Sequence, residues 1–136
     1  MTKNQNSCEN ISPQGELVIQ TVAMPHSTNF NGDIFGGWLL SQMDMGAGIV
    51  ATRRCKSRCA TIAIDKIEFL SPVKVGDTVC CYGDILKVGN TSMKIKVEVW
   101  VIRKLTNIKF KVTEGLFTFV AIDEHGKPIP VDNHNL

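Results

Sequence analysis

The amino-acid sequence predicts an α+β domain in which a curled antiparallel β-sheet wraps one long α-helix. Three observations lead there. Between about Phe35 and Arg54, the apolar residues Leu39, Met43, Ala47 and Val50 recur at spacings of four, four and three, which places them on one face of a helix. Thr91–Val101 instead alternates, with Met93, Ile95, Val97, Val99 and Val101 on one side and Lys94, Lys96 and Glu98 on the other, as in an antiparallel strand with one buried face. Two further segments, Cys59–Leu70 and Asn107–Asp123, alternate but change phase midway. The first changes after Ala60, Ile62 and Ile64 to Ile67 and Phe69, and the second changes near Gly115. A one-residue change of phase marks a β-bulge or a strand that curls.

The remaining elements follow in order. Residues 1–15 are polar and read as a flexible leader. Glu16–Met24 is rich in Val, Ile and Thr and reads as a first strand. Pro25–Asp33 collects Pro, His, Ser, Thr, Asn, Gly and Asp within nine residues and is a loop. Asp33 stands just before the helix, where a short acid can cap free backbone N–H groups, and Arg53 and Arg54 lie at its far end, where positive charge suits the helix dipole. A helix of this length spans roughly 30 Å, so only a broad layer of structure can cover it. Thr78–Val88 is a shorter strand after the turn Val75–Asp77. The domain therefore occupies residues 16–123, and 124–136 form a turn-like, frayed tail.

Composition narrows the function classes. The chain has 136 residues, enough for one domain. With 15 basic and 13 acidic residues its net charge is +2, which argues against a dedicated nucleic-acid binder. The apolar runs are too short for a bilayer-spanning helix and the polar start lacks the apolar stretch of a signal peptide, so a cytoplasmic location without membrane attachment is expected. The five cysteines, Cys8, Cys55, Cys59, Cys80 and Cys81, are odd in number and read as reduced thiols. Cys55 and Cys59 are four apart, but His26, His125 and His134 are scattered, so no metal site is expected.

Chemistry concentrates in residues 24–48, MPHSTNFNGDIFGGWLLSQMDMGAG. Gly36 and Gly37 fall in the first helical turn, where glycine costs about 1 kcal/mol against alanine. They fit either a plain loop-to-helix turn or close approach of a ligand to unpaired N–H groups, the components of an oxyanion hole. Asp44 lies beside the apolar stripe, with Ala47 and Gly48 one turn on. Such an acid must be solvated, paired or functional, because uncompensated burial is expensive. Asn29, Asn31 and Asp33 are either turn formers or a polar cluster at the site. His26 could act as a base but reads more simply as an exposed loop residue. Arg53, Arg54, Lys56 and Arg58 form a basic cluster that could hold phosphates or simply face solvent, and Gly89–Ser92 is turn chemistry with amides and hydroxyls open to the same use.

Together these residues resemble the hotdog-fold acyl-CoA thioesterases, most closely the bacterial YciA-type branch. The resemblance runs from about Glu16 to Ile122. Its strongest parts are Thr28-Asn29, Asn31–Trp38 and Ser41–Asp44, supported by Phe69–Asp84, Val88–Val101 and Phe117–Asp123. It implies a hotdog fold, two subunits pairing their sheets with the active site between them, and commonly a trimer of such dimers. It also implies hydrolysis of acyl-CoA thioesters to free fatty acid and coenzyme A. Asp44 matches the family's catalytic acid, Asn29 its partner from the opposite subunit, and Gly36 and Gly37 the helix start whose amides polarise the thioester carbonyl. Arg58 and Gly89, Asn90, Thr91 and Ser92 lie in regions similar to those that contact coenzyme A. No cofactor is implied, since coenzyme A is part of substrate and product. Asp44 can serve as general base or as nucleophile.

Two rival readings keep the fold and change the chemistry. A hotdog dehydratase generally relies on a catalytic histidine, and the helix has none. An acyl-CoA sensor would bind without turnover, and in known cases carries a DNA-binding module for which 136 residues leave no room.

Overall fold

The computed structural model describes residues 12–132. Strand β1 (Glu16–Val22) leads through a short 3-10 turn (Pro25–Ser27) into helix α1 (Gly36–Cys55). Four strands follow: β2 (Arg58–Phe69), β3 (Thr78–Val88), β4 (Ser92–Ile102) and β5 (Lys109–Ile122). They form one antiparallel sheet of order β1-β3-β4-β5-β2, so that β3, β4 and β5 make a meander and β1 and β2 are its edges. No helix among the described residues is long and apolar enough to cross a membrane.

The core lies between α1 and the concave side of the sheet. Leu39, Met43, Ala47 and Val50 are all buried, as their spacing predicts, and Met93, Ile95, Val97, Val99 and Val101 are fully enclosed opposite them. Cys81 projects into the same core from β3, and burial pushes its thiol up to about 12. The cysteines among the described residues, Cys55, Cys59, Cys80 and Cys81, are free thiols; Cys8 lies outside the described residues.

Glycine lets the sheet close on the helix at two places. A Cβ on Gly83 would lie 2.7 Å from Val50 Cγ2, and one on Gly115 would lie 2.0 Å from Ile67 Cδ1. Both phase changes are real. In β2 the pairing with β5 slips between Thr61 and Ala63 and again between Asp65 and Glu68, where Lys66 takes up φ 56°. In β5 the slip against β4 falls at Val112, not at Gly115, because Val99 pairs with Thr113 and Trp100 with Lys111. Gly115 belongs to the same phase as Phe117 and Phe119, as the small member that admits Ile67.

Other expectations need correction. Asp33 does not cap α1. The capping position belongs to Phe35, with no side-chain cap, while the Asp33 carboxylate pairs with Lys74 Nζ. The outer face of β4 is not uniformly solvated. Glu98 is only 2% exposed, because Trp100 Nε1 donates to its Oε1 (2.8 Å), Gln14 N reaches the same oxygen (3.3 Å) and Lys96 Nζ lies 3.3 Å from Oε2. A buried carboxylate is tolerated when it is paired and hydrogen-bonded in this way. Gln14 is thereby tied down although it belongs to the expected leader; residues 1–11 lie outside the described residues.

Nor is the start of the tail frayed. Asp123 Oδ1 accepts from His125 N and Lys127 N to form a tight turn. Ile129 N then bonds Ala121 O, Val131 N bonds Asn90 O, and the Val131 side chain is buried.

Candidate functional site

The loop before α1 is built around Asn29. Its Oδ1 accepts from Asn31 N (2.8 Å) and Asp33 N (3.1 Å), an Asx-type turn closed by a backbone bond from Asn29 N to Asp33 O. Ile34 N bonds Val73 O, and the Asp33–Lys74 pair reinforces that tie. Lys74 N in turn donates to Asp77 Oδ2 (2.8 Å), and the fully buried Asp77 also faces Arg103 Nε at 3.1 Å. The loop bearing Asn29 is thus fixed through Asp33, Lys74 and Asp77 to the far end of β4.

Between this loop and the segment after β2 lies a cleft of about 350 Å³. Asn29, Asp33, Gly36, Leu39, Phe69 and Val73 are among the residues lining it. Gly36 opens the helix with no side chain capping it, so its first amides are not taken up by a neighbouring cap. The two helix-start glycines also have a packing reason. A Cβ on Gly36 would meet the tip of the Phe69 ring at 3.2 Å, and one on Gly37 would meet the Phe35 ring at 3.2 Å.

Asp44 stands eight residues along α1 from Gly36, about 12 Å at the helical rise, and is not among the residues lining that cleft. It is half-buried, and Thr61 Oγ1 donates a 2.7 Å hydrogen bond to its Oδ1 from the neighbouring strand β2. Thr61 is a candidate that sequence reasoning missed. It is the one hydroxyl in Cys59–Leu70, the signal that could have singled it out. Asn29 and Asp44 are therefore placed on separate parts of one chain. His26 is exposed in the 3-10 turn and is not among the residues lining the cleft beside Gly36.

The basic cluster resolves into individual partners. Arg53 pairs with Glu16 and Arg54 with Asp132, each at 2.7 Å. The Asp132 carboxylate also raises the pKa of the Arg54 guanidinium. Arg58 Nη1 donates to the carbonyls of Asp123 (3.2 Å) and Glu124 (3.0 Å), and Lys56 ends the helix in the left-handed conformation. Lys56, Arg58 and Cys59 line an open cleft of about 490 Å³. Burial raises the pKa of the Cys59 thiol, against the lowering effect of its Thr52 contact. The Gly89–Ser92 turn lies at this same end of the sheet. Ser92 pairs with Val120 and Arg58 with Ile122, on opposite sides of β5.

A single long helix carrying a half-buried acid, held in a curled antiparallel sheet, defines a hotdog domain. The model of the Thioesterase superfamily matches residues 31–104, and the chain belongs to that superfamily. Among its relatives is the acyl-CoA thioester hydrolase YciA of Salmonella typhimurium, 50% identical over 123 residues that cover 88% of this chain and 92% of the relative. Two solved structures are similarly near. The hexameric thioesterase y2039 from Yersinia pestis superposes with a TM-score of 0.87 at 47% identity, covering 90% of this chain and all of that one. Cj0915, a hexameric hotdog fold thioesterase of Campylobacter jejuni, gives 0.83 at 40% identity, covering 87% and 91%.

Proposed function

We propose that the protein hydrolyses acyl-CoA thioesters to a free acid and coenzyme A. The observation that carries this reading is the Asp44 carboxylate, held by Thr61 on the central helix of a chain half identical to an acyl-CoA thioester hydrolase. Asp44 activates a water or attacks the thioester carbonyl itself. Thr61 keeps the carboxylate aimed. The helix start at Gly36 and Gly37 shares a cleft with Asn29 and lies about 12 Å along α1 from Asp44. Its amides therefore come with Asn29 from the partner subunit to stabilise the oxyanion, worth roughly 3–4 kcal/mol per donor where such a group has been removed from other enzymes.

Asn29 completes the site from a partner subunit. Its separation from Asp44 within one chain supports this, as does the exposed outer edge of β2. That edge presents Ile62 (60% exposed) and Ile64 beside unpaired backbone groups, a strand ready to pair with a second copy. The hexameric relatives favour a trimer of such dimers. Arg58 and Gly89–Ser92 hold the nucleotide end of coenzyme A. Along α1 about 16 Å separate Asp44 from Cys55, a span for an extended pantetheine arm.

Chromatographic release of coenzyme A from acyl-CoAs, with wild type and Asp44→Ala side by side, tests the reading. Turnover that is lost in the variant while coenzyme A binding persists supports it. Wild type that binds acyl-CoA without consuming it would instead make the protein a sensor.

A further inference from the structure

Phe69 is the last residue of β2 and stands against the start of the helix. The bulge between Asp65 and Glu68, with Lys66 in the left-handed region, reverses the strand's phase and turns Ile67 and Phe69 toward the helix. Ile67 goes into the core against Gly115. Phe69 does not follow it into the core. The residue stays 52% exposed, with the tip of its ring close to Gly36 at the helix start. Bulges beside functional sites commonly re-aim a side chain in this way.

The backbone on either side is fixed. Leu70 N bonds Val112 O (2.7 Å), and Thr113 Oγ1 donates to Glu68 O. The ring can therefore swing only about its own side-chain bonds, on a fixed backbone in the wall of the 350 Å³ cleft. That cleft is walled largely by apolar groups, among them Ile34, Leu39, Leu70 and Val73. An acyl chain suits such walls, whereas the amide-rich pantetheine arm calls for polar partners.

We propose that Phe69 is the specificity-determining residue for acyl-chain length, its ring setting how many carbons of the chain pass the helix start into the cleft. This rests on the thioesterase reading above. With the carbonyl on the amides of Gly36 and Gly37, the first carbons of the acyl chain run alongside the ring tip.

Coenzyme A release from a graded series of saturated acyl-CoAs, acetyl to palmitoyl, tests the assignment in wild type, Phe69→Ala and Phe69→Trp, each checked for folding by thermal melting. Phe69→Ala is expected to move the optimum of kcat/KM to longer chains, with about a fourfold gain for each methylene newly admitted. Phe69→Trp is expected to move it to shorter ones. Opposite displacements are not produced by a merely structural role, which lowers all chain lengths together. An unchanged chain-length profile in both variants of an active enzyme overturns the assignment. If Phe69→Ala does not fold, the Phe69→Trp arm and a Phe69→Leu variant decide the matter alone. A wild type that hydrolyses no member of the series overturns the thioesterase reading instead.

Discussion

Replacing Thr61 by valine isolates one hydrogen bond. The two side chains are nearly the same shape, so the variant removes the 2.7 Å donor to Asp44 Oδ1 while keeping the volume. A hydrogen bond to a charged group contributes about 1.5–3 kcal/mol. If that orientation is needed in the transition state, kcat should fall about 10- to 150-fold. KM should change little, because Thr61 acts on the carboxylate and not on the bound thioester. Thr61→Ser restores the hydroxyl and should recover most of the loss. Single-turnover and steady-state release of coenzyme A, followed by chromatography, separate the chemical step from binding. A Thr61→Val enzyme within about twofold of wild type, beside an inactive Asp44→Ala, would refute the claim that this contact aims the acid.

Two further substitutions test the framework. Ile62→Lys puts a charge on the outer edge of β2 and should shift the assembly toward single chains, with activity lost in parallel. Light scattering across a concentration series checks this, and an unaltered assembly would remove β2 from the subunit contact. Asp77→Ala strips the buried acceptor of Lys74 N and the charge facing Arg103. It should cost about 3–5 kcal/mol, read as a lowered denaturation midpoint with unchanged slope, and a loss under 1 kcal/mol would contradict the pairing.

Much of the fold was legible because its signals are local and repeated. The helix face at Leu39, Met43, Ala47 and Val50 and the strand face from Met93 to Val101 follow from periodicity alone. What escaped depends on partners distant in sequence. Glu98 reads as solvent-facing until Gln14 and Trp100 are known to cover it. Asp33 suits a helix cap by its position, but Lys74, on another loop, claims its carboxylate. Residues Glu124 to Val131 look like a tail because the apolar members, Ile129 and Val131, are too few to show a period, yet Val131 fills a place in the core. The candidate site divides in the same way. Asp44, Asn29 and the glycine pair could be singled out from unusual residues in one stretch. Thr61 and Phe69 became visible only when β2 was placed against α1.

The strand order has a consequence for how the chain acquires its structure. β3, β4 and β5 are joined by short turns, and each closes on its predecessor over small loops, so this meander can form early. β2 must wait: Arg58 finds Ile122 only after the whole meander has been laid down between them, and β1 likewise finds β3 across the helix. Such non-local pairings carry the larger loop-closure entropy and slow the approach to the native state. Thr61 and Phe69 both ride on β2. The strand that carries the groups proposed to aim the acid and gauge the acyl chain is thus seated in the sheet by one of its two long closures, while Thr61 meets Asp44 across only the short turn that joins α1 to β2.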